Sequence, residues 1–246
     1  KIVHIPYKGG GPAQIALLRG QLDSATAALA RRQAAAALDF RAIQQGNRPA
    51  VAMIFVEGPD GRVSTGTAFA VRPDATLVTA RHVLTGEDGL QRPRRIAIQF
   101  SDSDQVWPAR ILRIAEDVDL AIVKVDNIIG NVPTIEAFNT RPDTLSAGGV
   151  VASIGFPVGR NLTAEATYGR GGIVQPLLSA GIISHVTNDH IEFQGYGSSG
   201  ASGSPVFDAT GAVIAVLFGG LRDSTHPTLL GVPSTAVQRL LASLPE

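Results

Sequence analysis

From residue 50 onward the chain is a succession of short runs rich in Val, Ile, Phe and Thr, each cut off by turn residues. Such runs fall at 50–56, 65–71, 76–79, 95–100, 106–115 and 120–125, and again at 149–154, 180–186, 190–194, 204–207, 212–218 and 229–232. Gly58-Pro59-Asp60-Gly61, Arg72-Pro73-Asp74 and Asp208-Ala209-Thr210-Gly211 punctuate them. Many short strands with frequent turns specify an all-β sandwich or barrel. Two groups of about six, joined across 126–148, predict two six-stranded barrels side by side. The tail, 233–244, reads as a closing helix with Val237, Leu240 and Leu241 on one face and Ser234 as its candidate N-cap.

The first 48 residues have a different texture, rich in Ala, Leu, Gln and Arg. Ile15, Leu18, Leu22, Ala25 and Leu29 recur at spacings of three and four, as on one face of a helix. Pro12 suits a first helical turn, and the run Ala34-Ala35-Ala36-Ala37 has high helix propensity. One or two helices are expected here, ending near Gln45-Gly46-Asn47-Arg48-Pro49. The expected division is therefore a helical extension over 1–48 and a β domain over 49–246, with barrels at about 49–135 and 145–232.

With 246 residues, 44% of them hydrophobic and 17% charged, the chain is long enough to bury a substantial core. It has 21 basic and 21 acidic residues, so no overall field draws it to nucleic acid or an anionic membrane. No run of about 18 apolar residues occurs, and no membrane-spanning helix is expected. Cysteine is absent, which excludes disulfides and thiolate-bound metals. The chain begins at Lys1 and its only methionine is Met53, which reads as a fragment or processed form from which any signal peptide would be lost. Oligomeric state is open.

Three segments carry the chemistry. Gly200-Ala201-Ser202-Gly203-Ser204-Pro205 sets a serine between glycines, on the tight turn a nucleophile needs. Gly200 and Ser202 are the natural pair of backbone donors for an oxyanion. Ser199 and Ser204 compete with Ser202. Ser204 is restrained by Pro205, and Ser199 lacks the downstream glycine spacing, so Ser202 is favoured. Thr79-Ala80-Arg81-His82 places a histidine after a β-like run, and an imidazole titrates near neutral pH, as a general base must. Asp119 opens Asp119-Leu120-Ala121-Ile122-Val123 and could orient the imidazole. Asp117, two residues earlier and on the same face of an extended chain, is its rival. A base, a carboxylate and a nucleophile in the order His, Asp, Ser make the equipment of a serine hydrolase. No cofactor or metal is called for. Gly9-Gly10-Gly11 lacks the Lys-Ser/Thr that a phosphate loop needs.

Residues 50–245 resemble the trypsin-like (chymotrypsin-fold) serine peptidases, especially the cysteine-free bacterial HtrA-like and glutamyl-endopeptidase-like members. Thr-Ala-x-His at 79–82, Asp-Leu-Ala at 119–121, the serine loop and Gly66-Thr67-Ala68-Phe69 carry the resemblance. It implies two perpendicular antiparallel barrels with His82, Asp119 and Ser202 in the cleft between them. The implied activity is endopeptidase cleavage of a polypeptide substrate through an acyl-enzyme. The alternative is an inactive, peptide-binding relative of the same fold. Ala201 departs from the Asn or Asp usual before the nucleophile. By similarity the specificity pocket is lined by Tyr196, Gly197, Ser198 and Ser199, and by Leu217, Phe218, Gly219 and Gly220. Tyr196 stands where trypsin has an acid, and Leu217 where glutamyl-specific enzymes have a histidine, so cleavage after small or medium apolar residues is expected. His185 and His190 are expected near this pocket. The resemblance implies a periplasmic or secreted location, with a cytoplasmic one still open. Separately, residues 1–25 resemble a fragment of the tripartite tricarboxylate receptor family, too short a piece to form a ligand-binding domain.

Overall fold

The computed structural model describes residues 39–157, 172–221 and 228–244. The expected helices before residue 39, the tricarboxylate-receptor resemblance, His4 and His226 lie outside the described residues. Leu38–Glu246 forms one compact unit.

Two closed barrels of six antiparallel strands make up this unit. The first contains β1 (Val51–Glu57), β2 (Val63–Arg72), β3 (Thr76–Thr79), β4 (Arg95–Phe100), β5 (Trp107–Ile114) and β6 (Ala121–Val125), joined in the order β1-β2-β3-β6-β5-β4. The second contains β7 (Val150–Gly155), β8 (Leu177–Val186), β9 (Ile191–Gly195), β10 (Pro205–Phe207), β11 (Val213–Leu221) and β12 (Thr228–Pro233), in the order β10-β11-β12-β9-β8-β7. Closure leaves neither sheet a free lateral edge for its whole length. All twelve expected strands form, with ends displaced by at most three residues. Among the described residues three short α-helices accompany them: α1 (Phe40–Asn47), α2 (Arg81–Thr85) and α3 (Ser234–Ala242).

The apolar runs are continuous in sequence because several strands are buried on both faces. On β1, Ala52, Ile54 and Val56 fill the first barrel, whereas Val51, Met53 and Phe55 point the other way. Those three join Phe69, Val78 and Ile122 of the first barrel and Ile154, Phe156, Phe207 and Val216 of the second in one cluster. This seam fuses the two barrels into one core. Ile43 of α1 and Val237 of α3 pack into the same seam.

Both helices bear on the sequence reading. Asp39 caps α1, its Oδ1 accepting from Ala42 N–H at 3.0 Å, and Ile43 docks the helix on the seam. Ser234 is not the N-cap of α3. Pro233 occupies that position and Ser234 is the first helical residue. Its hydroxyl donates instead to the carbonyl of Asn139 in the link between the barrels. A serine beside a proline fits either place in sequence, and the nearby carbonyl decides between them.

Candidate active site

The three chemical segments converge from different elements. α2 follows β3 directly, so His82 stands at the rim of the first barrel. The first turn of any helix leaves N–H groups unpaired. Asp119, just ahead of β6, supplies the acceptor: its Oδ1 takes the His82 backbone N–H at 2.9 Å. The other oxygen, Oδ2, meets His82 Nδ1 at 2.7 Å. Arg81 secures the same loop, donating to the carbonyls of Ala115 at 3.1 Å and Glu116 at 3.2 Å. The opposite ring nitrogen, His82 Nε2, lies 2.9 Å from Ser202 Oγ on the second barrel. The relay from carboxylate to imidazole to hydroxyl is thus unbroken.

Burial works against charge on Asp119. The hydrogen bond and positive charge of His82, its backbone N–H and the charge of Arg81 outweigh it and hold the carboxyl below the usual carboxylate range. Asp117 points to solvent and pairs with Arg239 of α3 at 3.2 Å. The chain bends through 116–119 instead of running extended, so the two acids do not share a face.

Backbone shape sets the serine turn. Gly200 has φ +94° and Gly203 φ +89°, both in the left-handed region that favours glycine. A Cβ on Gly203 would lie 1.9 Å from the Thr67 carbonyl oxygen. The peptide groups flanking Ala201-Ser202 are pinned: Ala201 N–H donates to Ser198 C=O at 3.0 Å and Gly203 N–H to Leu217 C=O at 2.7 Å. Among the described residues, Gly200 N–H and Ser202 N–H donate to no backbone carbonyl. Ser204 is buried against Gly155, and Ser199 is exposed and outside the relay.

His82 and Ser202 border a groove of about 530 Å³. Seven of the eight expected pocket residues line it: Gly197, Ser198, Ser199, Leu217, Phe218, Gly219 and Gly220. Tyr196 does not. It borders a small separate void beside Phe193 and Val206, and Leu217 and Leu229 edge both spaces. Leu229, from β12, is a groove residue that the sequence reading missed, because its place depends on long-range strand pairing. His185 and His190 are also away from the groove. Both face Glu192 on the β8–β9 hairpin, at 3.7 and 3.3 Å. Among the described residues, no cluster of His, Asp and Glu is fit to hold a metal ion.

Two closed six-stranded barrels with a carboxylate–imidazole–hydroxyl relay in their cleft define the chymotrypsin-like class of serine hydrolases. Comparison with known proteins agrees. A family model described as the trypsin-like peptidase domain matches residues 66–216, and the chain belongs to that family. The chain is 29% identical over 169 residues to the serine protease Rv3671c of Mycobacterium tuberculosis, a match covering 67% of this chain and 38% of that protein. It is 29% identical over 160 residues to a Chlamydia pneumoniae protein named "Probable periplasmic serine endoprotease DegP-like", covering 61% of this chain and 28% of the other. The chain therefore spans well under half the length of these relatives. Among solved structures, the active form of the Rv3671c protease superposes with a TM-score of 0.64 at 22% identity, over 83% of this chain and 85% of that one. The HtrA-type protease AlgW with tripeptide gives 0.66 at 22% identity, over 83% and 63%.

Proposed function

We propose that this protein is a serine endopeptidase. The observation that carries the reading is the continuous contact from Asp119 through His82 to Ser202, opening on a groove. Ser202 Oγ attacks the substrate carbonyl carbon while His82 Nε2 takes its proton. Asp119 holds the ring with Nδ1–H toward itself and stabilises the imidazolium. Charge gathers on the former carbonyl oxygen, where Gly200 N–H and Ser202 N–H receive it. Collapse of this intermediate breaks the C–N bond. His82 gives the proton to the departing amine and an ester remains on Ser202. Water, deprotonated by His82, then releases the acid and restores the enzyme.

The substrate class is a polypeptide laid across the groove. Leu217 is only 3% exposed at its wall, with Phe218 and Leu229 beside it, which supports an apolar P1 side chain of small or medium size. The peptidase unit is taken to begin near residue 38, where the compact unit starts, with barrels near 49–135 and 145–232. A periplasmic or secreted location is proposed on the strength of the DegP-like relatives. Among the described residues no helix is long and apolar enough to cross a membrane.

A fluorophosphonate probe tests the assignment. The wild-type chain should label at Ser202, and Ser202→Ala should fold normally without labelling. A folded wild type that stays unlabelled overturns the peptidase reading. A peptide-library cleavage profile then reads the P1 preference directly.

A further inference from the structure

We propose that Thr67 is a positioning residue that holds the Ser202 turn in oxyanion-binding shape from the opposite barrel. The proposal rests on the acyl-enzyme reading above. Thr67 is 0% exposed in the middle of β2, yet it directs its hydroxyl and its amide N–H at the second barrel. Its hydroxyl donates to the Gly200 carbonyl at 2.9 Å and accepts from Phe156 N–H at 2.9 Å. Its amide N–H donates to the Ser202 carbonyl at 2.8 Å.

These contacts bear on two particular peptide groups. The Gly200–Ala201 peptide is fixed at its carbonyl by the Thr67 hydroxyl and at its N–H by Ser198. The Ser202–Gly203 peptide is fixed at its carbonyl by the Thr67 amide and at its N–H by Leu217. Between them lies the Ala201–Ser202 peptide, which carries the Ser202 N–H. Its own carbonyl, that of Ala201, accepts from Ser204 N–H at 3.0 Å, so with both neighbouring peptides also held the Ser202 N–H is fixed in direction. The clamp matters because Gly200 and Gly203 have the widest backbone freedom of any residue. Without it, the Gly200 carbonyl would be a buried acceptor lacking a partner, and the turn would rotate to find one.

The clamp also reaches the base. The Thr67 carbonyl accepts from the Thr79 hydroxyl at 2.8 Å, and Thr79, also 0% exposed, lies three residues before His82. One buried chain of hydrogen bonds therefore links the segment bearing the histidine to the turn bearing the nucleophile. It fixes their spacing across the seam.

Thr67→Val keeps the shape and removes the hydroxyl. Loss of a whole oxyanion donor lowers kcat by about 10²–10³, so distortion of the turn should lower it by roughly 10–100-fold. The fluorophosphonate labelling rate should fall in parallel. KM should hold, as should the acid side of the pH profile, because the His82–Asp119 pair is untouched. Thr67→Ser, which keeps the hydroxyl, should recover most of the lost rate. Thr67→Cys, a weak donor, should fall between, and it replaces the valine variant if that one does not fold. A folded Thr67→Val or Thr67→Cys with wild-type kcat, even with a lower melting temperature, overturns the proposal. So does a serine variant as slow as the valine one, since the methyl group would then be what matters. A wild type that fails to label overturns the peptidase reading instead.

Discussion

Asp119 performs two tasks with its two oxygens, and asparagine can perform only one. In Asp119→Asn the amide NH₂ turns either toward the His82 backbone N–H or toward Nδ1, and in the second case the ring adopts the wrong tautomer. Turnover should fall by about four orders of magnitude, as for the same change in other enzymes with this triad. Asp117→Ala should leave turnover near wild type, because its partner Arg239 is on the surface and exposed pairs contribute little. The pH dependence has a definite sign. The Asp119 carboxyl is held below its usual range, so its ionised form stabilises the native state above about pH 4, the value of a free aspartate. That contribution disappears as pH falls through the lowered native pKa. Urea unfolding of wild type and Asp119→Asn should show a gap at pH 7 that narrows toward pH 3. His82, Asp119 and Ser202 were legible because each sits in a motif whose neighbours the chemistry explains. The choice between Asp117 and Asp119 was not legible from strand periodicity, since the bend at 116–119 breaks that periodicity. Thr67 was visible as part of Gly66-Thr67-Ala68-Phe69, but nothing local reveals that a residue 135 positions upstream touches the serine turn.

At the scale of the element, the serine turn has no room for a side chain at Gly203. Gly203→Ala brings a Cβ to 1.9 Å from the Thr67 carbonyl and imposes positive φ on alanine. Gly211 has a similar φ of +80°, but its Cβ would meet only Ile43 Cγ1 at 3.8 Å. The pair separates strain from collision. Gly211→Ala should lose about 1 kcal/mol of stability and keep full probe labelling. Gly203→Ala should lose labelling altogether, and a labelled Gly203→Ala would show the turn to be more compliant than its packing implies. Twelve strands were legible here because a short apolar run between turn residues has few other ways to fold. The bulges at Ala70/Arg72, Ile111/Arg113 and Leu217/Gly219 were not. A bulge is fixed by how the partner strand pairs, which a single run of residues does not encode.

On the scale of the molecule, the seam predicts that the barrels unfold together. Phe207 is fully buried there, on the second barrel, and Trp107, the chain's single tryptophan, belongs to the first. Phe207→Ala should destabilise by about 3–5 kcal/mol. Trp107 fluorescence and far-ultraviolet circular dichroism should then report the same lowered urea midpoint. An unmoved fluorescence midpoint would mean that the barrels melt separately. The grouping of strands by six was legible, but the fusion was not, because closure and the meeting of two outer faces depend on pairings far apart in sequence. The two-sided burial of β1 has a mechanical result. Hydrocarbon lines both sides of that wall, so any movement of one half against the other has to disturb close-packed side chains. The width of the groove between the halves is therefore tied to the packing of a strand that never touches it.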